Sequence, residues 1–257
     1  MSEMNPYKPP ESQAAAAAGA GDFIADGRAV DSGRGWEWIA SGWELFKKQP
    51  GTWILLLIVL LVCSILISLV PLIGGLANML LLQVFMGGVM LGCRALDADG
   101  SLELGHLFAG FKQNTGDLVV LGVLALVAWV IVIIPALVIV GGGSFMAMMR
   151  GDAMGMAAFG MTFVLAMLVV LALSIPVYMA LWFAPSLIVF HGLKPVAAMK
   201  TSFFACLKNI VPFLLYGVIL LALSLVAAIP LGLGFLVLAP VIVASIYAAY
   251  RDIFFAG

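Results

Sequence analysis

Few residues in this chain have the type and spacing that catalysis needs. His106 and His191 are its only histidines, and no Walker loop, GxSxG elbow or HExxH helix occurs. Paired carboxylates suited to acid–base work are missing as well. A lone interfacial histidine reads as a satisfied polar residue rather than a ligand. The unusual cluster is SFMAMMRGDAMGMAAFGM, which holds Met146, Met148, Met149, Met154, Met156 and Met161. Thioether sulfur is a soft ligand that suits Cu(I), and MxM spacing presents two sulfurs together. No Cys or His supports it there, so flexible methionine filling an irregular membrane-edge loop is the preferred reading and copper the lesser one. Cys63, Cys93 and Cys206 form no CxxC pair and read as buried or reduced thiols. No cofactor is implied, and the chain reads as not an enzyme.

The elements that carry these residues are almost entirely apolar. The chain is 64% hydrophobic and 10% charged, against about 25% charged in soluble domains. Its class is therefore a polytopic membrane protein. With a net charge of −1, nucleic acid is not an expected partner. Residues 1–33 lack the basic start and apolar core of a secretory signal and are expected to form a disordered cytoplasmic tail. The membrane domain is expected over residues 34–257.

Six spans are predicted: Trp53–Val70, Leu76–Cys93, Leu118–Val140, Ala157–Phe190, Val211–Ile229 and Leu231–Tyr250. The fourth is 34 residues long, about 51 Å as one straight helix, so Pro176 and Pro185 are expected to kink or break it. A re-entrant form is the alternative. No Asp, Glu, Lys or Arg lies in the core of a span, which argues against a proton-coupled transporter. Asn78, Gln83, Ser174, Tyr178, Tyr216 and Ser245 are embedded polar groups that read as interhelical glue. Gly88 and Gly92 make a small-xxx-small pair suited to close helix packing.

Three amphipathic segments precede three spans. In the first, Trp36, Ile39, Trp43 and Phe46 share one side, with Trp38 and Leu45 on its flank. In the second, Leu104, Leu107, Phe108 and Phe111 align; in the third, Val196, Met199, Phe203 and Leu207 do. Each is expected to lie on the membrane surface. The anchors are Trp36, Trp38, Trp43, Lys47, Lys48, Phe108, Phe111, Lys112, Phe203, Lys208 and Arg251. Lys48, Lys112 and Lys208 are followed by Pro71, Pro135 and Pro230 at spacings of 23, 23 and 22 residues. This suggests three pseudo-repeats, over roughly 36–97, 102–191 and 193–254.

Six spans put both termini on one side. Close to the spans, nine basic residues fall on that side and only Arg150 on the other. The positive-inside rule makes the crowded side cytoplasmic, with the surface helices on the cytoplasmic leaflet.

The segments GRGWEWIASGWELFKKQPGTWI, LGCRALD, LELGHLFAGF, YMALWFAPSLIVFHGLKPVAAMK and YAAYRDIF resemble an uncharacterised family of proteobacterial inner-membrane proteins. That family is similar in layout to YciC-like proteins and to the membrane domain of some glycerophosphodiester phosphodiesterases. The resemblance spans roughly residues 33–255 and implies no activity. The catalytic domain of those phosphodiesterases is soluble and has no counterpart here, and the Met-rich loop departs from the family's Gly and Ala loop. Together these readings suggest an all-α membrane bundle acting as a structural, lipid-engaging or accessory subunit. Its expected partners are membrane lipids, and other membrane subunits or itself. The alternative is a permease for a lipophilic or amphipathic solute, with a midplane cavity near Pro176–Pro185.

Overall fold

The structure, a computed structural model, describes residues 22–71, 73–141, 144–149, 151 and 153–256. It is all-α, and no strand occurs among the described residues. The helices are α1 (Arg34–Lys48), α2 (Pro50–Ser68), α3 (Ile73–Asp97), α4 (Leu104–Leu107), α5 (Thr115–Gly141) and α6 (Ser144–Met149). Then come α7 (Ala153–Trp182), α8 (Ala184–His191), α9 (Pro195–Lys208), α10 (Ile210–Ala228) and α11 (Phe235–Phe254). A short 3-10 turn, Ala109–Phe111, follows α4.

Six units are long and apolar enough to cross a membrane: α2, α3, α5, α7 with α8, α10 and α11. They are not equivalent. Within their most apolar stretches α3 and α11 are 50% and 56% buried, whereas α2, α5 and α7 with α8 are 11% and α10 is 17%. Two helices are thus largely packed within the protein, and the other four present aliphatic side chains outward, as lipid contact requires.

Local sequence explains the boundaries. Pro50, Pro185 and Pro195 sit in the first turns of α2, α8 and α9, where the missing N–H costs nothing. Gly192 ends α8 in the left-handed conformation, at φ 62°. Glu103 and His106 form a capping box that starts α4.

The long fourth span breaks at Phe183, just before Pro185, while Pro176 is accommodated inside α7. Ser202 of α9 closes the break: its hydroxyl accepts the Phe183 N–H at 3.0 Å and donates to the Met179 carbonyl at 2.6 Å.

Several expectations need correction. Residues 22–33 of the expected tail are packed on the C-terminal segment, and residues 1–21 lie outside the described residues. The second amphipathic segment is α4 followed by the 3-10 turn, with Leu107 fully buried beneath it, rather than one surface helix. Of the repeated prolines, Pro71 and Pro230 lie in turns but Pro135 lies inside α5.

The packed face of α1 leaves two of its three tryptophans outside, and that of α9 is made of small residues. In α1 the buried stripe is Gly35, Trp38, Ile39, Gly42, Leu45 and Phe46, while Trp36 and Trp43 are exposed. A Cβ on Gly42 would meet the Val241 carbonyl oxygen and the Ser245 nitrogen at 2.7 Å, so only glycine allows α1 this close to α11. In α9 the buried stripe is Ala198, Ser202, Ala205 and Cys206, with Val196 and Leu207 outward. Small residues let backbones approach, and large ones face the apolar surroundings.

Candidate functional site: the end where the termini meet

The polar chemistry of the molecule is concentrated where its two described ends come together. Phe23 pairs with Phe255 in an isolated antiparallel bridge. Around it, the Ile24 and Arg28 N–H groups donate to the carbonyls of Phe254 and Ile253, both at 2.8 Å. Asn209, at the start of α10, accepts the Val30 N–H at 2.8 Å and donates to the carbonyls of Arg28 and Ala205 at 2.9 Å. Lys208 donates to the Asp26 and Gly27 carbonyls. Residues 22–33 therefore form a strap across the ends of α9, α10 and α11.

Asp252 anchors the strap and α1 together. Its carboxylate accepts from Arg28 Nη2 at 3.0 Å, from Arg34 Nε and Nη2 at 2.7 Å each, and from Trp38 Nε1 at 2.8 Å. The side chain is 5% exposed, so this carboxylate has given up water and depends on these donors. Its hydrogen bond to Asp252 is the main reason the Arg34 guanidinium is held above its usual pKa. Arg34 also pairs with Glu37 along α1.

Beside this cluster, Asp97 at the end of α3 accepts from Arg251 and from the Tyr247 hydroxyl, the latter at 3.2 Å. Lys48 reaches the Asp99 carboxylate at 3.0 Å and the Leu96 carbonyl at 3.1 Å. A cavity of about 570 Å³ opens between these groups, lined by Arg28, Arg34, Lys48, Asp97, Arg251 and Asp252 among others. Its charges are already matched in pairs. The arrangement clamps helices.

Other expected residues are placed as follows. Trp38 is 1% exposed, so it is a core residue and not an interface anchor; its indole N–H needs the buried carboxylate. Trp36, Trp43, Phe108 and Phe111 are exposed, Phe203 is half-buried, and Lys47 pairs with Glu44 at 2.8 Å. Gly88 and Gly92 are sites of close approach, but against the α4 connector: a Cβ on Gly88 would lie 2.4 Å from the His106 carbonyl oxygen. Tyr216 and Ser245 join α10 to α11 through a 2.6 Å hydroxyl pair, and Asn78 ties α3 to Ser64 and Ser68 of α2. Met146, Met148, Met149, Met154, Met156 and Met161 stand exposed on α6 and the start of α7, while Arg150 and Asp152 lie outside the described residues.

His191 lies against Tyr250, with Nε2 2.6 Å from the hydroxyl, and its ring stacks on Phe23. Burial pushes the Cys206 thiol up to about 12, which makes it an unreactive packing residue. No group of three or more His, Cys, Asp or Glu suited to a metal occurs among the described residues. Sequence reasoning missed the Asp252 cluster. Its partners are 214 to 224 residues away, and the only local signal was the Arg251-Asp252 pair closing an apolar helix.

A Burkholderia thailandensis protein named as a probable inner membrane protein is 30% identical over 250 residues, covering 88% of this chain and 92% of the relative. No known family profile and no solved structure matches the chain. With six apolar helices and identity along nearly its whole length, the chain belongs to the family of that inner-membrane protein and is itself a multi-pass inner-membrane protein.

Proposed function

We propose that this protein is a non-enzymatic, lipid-engaging accessory component of the inner membrane. The observation that carries the reading is an apolar groove of about 690 Å³ between α1 and the α10–α11 hairpin. Its walls include Ile39, Leu223, Val226 and Val237, and Trp36 and Trp43 stand along it, 56% and 43% exposed. An aliphatic trough edged by indoles has the chemistry of an acyl-chain seat near a headgroup layer. The basic end, with both termini, faces the cytoplasm in this reading, following the positive-inside rule. The partners are then membrane lipids, and other membrane subunits or a second copy, with no nucleic acid.

A permease would need a cavity at the broken fourth span. Phe183 and Ala184 are fully buried there and Ser202 fills the gap, which favours the accessory reading. The resemblance in layout that the sequence bears to YciC-like proteins and phosphodiesterase membrane domains would suit a role without catalysis. Copper handling would need the exposed methionines to converge on one ion; Cu(I) titration of protein lacking Met146, Met148 and Met149 tests it through the binding stoichiometry.

Brominated phospholipids quench tryptophan on contact. In single-tryptophan variants, Trp43 fluorescence is expected to fall by more than half on bromination of the acyl chains, and Trp38 fluorescence to change little. Trp43 emission that ignores the bromines would remove the groove as a lipid seat. Replacing Trp36 and Trp43 with Glu should likewise raise hydrogen exchange in α1.

A further inference from the structure

We infer that the cavity between the last turns of α3 and the α4 connector binds a phosphate group, of the kind carried by an anionic phospholipid headgroup or free in solution. The cavity measures about 480 Å³ and is lined by Arg94, His106, Lys112 and Glu103 among others. It is separate from the Asp252 cluster and from the apolar groove, and it rests on the lipid-engaging reading only for the source of the phosphate.

Arg28, Arg34, Lys47, Lys48, Lys194 and Arg251 each have a carboxylate partner. Among the described residues no carboxylate lies within ion-pair distance of Arg94 or Lys112, yet both line this one cavity. Arg94 is half-buried, with its guanidinium carbon 4.6 Å above the Phe190 ring. The ring holds the cation in place without using its N–H donors, which can meet an oxyanion in the bidentate manner that phosphate accepts.

His106 adds a third donor. Its Nδ1 accepts the Glu103 N–H at 3.0 Å, so the neutral ring carries its proton on Nε2. The Glu103 carboxylate in the same cavity is engaged by the capping box and by the Ser101 hydroxyl at 3.3 Å. Two cations and one imidazole donor therefore face one carboxylate that already has donors of its own. Phe108 and Phe111 are exposed on the same connector, beside Lys112 in sequence. Basic groups beside exposed aromatics suit the edge of a bilayer, where phosphate is concentrated.

Native mass spectrometry of protein released from vesicles of equal phosphatidylglycerol and phosphatidylcholine tests the site. Wild-type protein is expected to retain the anionic lipid at least threefold over the zwitterionic one. Arg94→Gln and Lys112→Gln should each bring that ratio toward one, while Lys200→Gln, on α9, leaves it unchanged. Lys112 is exposed, so its variant keeps the fold even if Arg94→Gln does not. Calorimetric titration of inorganic phosphate into protein in phosphatidylcholine discs is the second arm. Saturable binding that Lys112→Gln abolishes, without lipid preference, supports the site with free phosphate as its ligand. Wild-type lipid ratios and phosphate uptake in both cavity variants would overturn the inference, as would an equal loss in Lys200→Gln. Quenching at Trp43 reports the groove independently, so the two ideas fail separately.

Discussion

The two ends of the bundle are held by different forces. At the end that carries both described termini, polar groups meet specific partners: the buried Asp252 with Arg28, Arg34 and Trp38, and the half-buried Asp97 with Arg251 and Tyr247. At the opposite end, the α10–α11 turn exposes Leu231 to 97%, and α6 and the start of α7 expose their methionines. Apolar matching to lipid tolerates sliding and rotation, because lipid tails are as apolar as the side chains. Ion pairs in a dry setting do not, since each unmatched charge is expensive. The register of the bundle is therefore set at the terminal end, and the other end follows. Binding chemistry is to be sought at the first end as well.

Removing a clamp should break that contrast most. Asp252→Ala leaves two guanidinium groups and an indole N–H without their acceptor. It should destabilise the protein by about 2 kcal/mol, mostly through the buried indole because the two guanidinium groups can turn to water, read as a shift of the unfolding midpoint in mixed micelles. Asp252→Asn should cost less, because an amide oxygen still accepts from Trp38.

Two glycines differ in the same way. Gly42→Ala forces α1 away from the Val241 and Ser245 backbones and should cost about 2 kcal/mol. Gly160→Ala, on α7 with nothing within 4 Å of the new Cβ, should be neutral or stabilise by up to about 1 kcal/mol. The same substitution then has opposite signs at the two sites. Tyr216→Phe removes the hydroxyl pair with Ser245, and the expected loss is about 1 kcal/mol in the same assay. The smallest effect belongs to Met146→Leu and Met149→Leu. At exposed positions these should move stability by less than about 0.5 kcal/mol.

The spans were legible because hydropathy over some twenty residues is a one-body property of the chain. The break near Pro185 was legible from the length of the fourth stretch. The exposure of Trp36 and Trp43 on α1 and the packed face of α9 were not, since a moment weights large side chains, and the closest packing here is made at Gly35, Gly42, Ala198 and Ala205. Trp38 was misplaced for the same reason: its ring looks like Trp36 and Trp43 in a pattern, and only Asp252 distinguishes it. Residues 22–33 read as part of a tail because their few anchors, Phe23 and Arg28, find partners at the far end of the chain. Contacts that join distant segments leave no periodic trace.

The strap across the C-terminal helix tests the account most directly. Phe23 and Phe255 face each other in an antiparallel bridge, a geometry within reach of a disulfide. With Cys63, Cys93 and Cys206 replaced by Ala, Phe23→Cys with Phe255→Cys should cross-link in native membranes on mild oxidation. The closed chain would be detected by intact mass and by linkage of the terminal peptides after proteolysis. Failure to cross-link in membranes where the variant is folded, or labelling of the two cysteines from opposite faces, would contradict it.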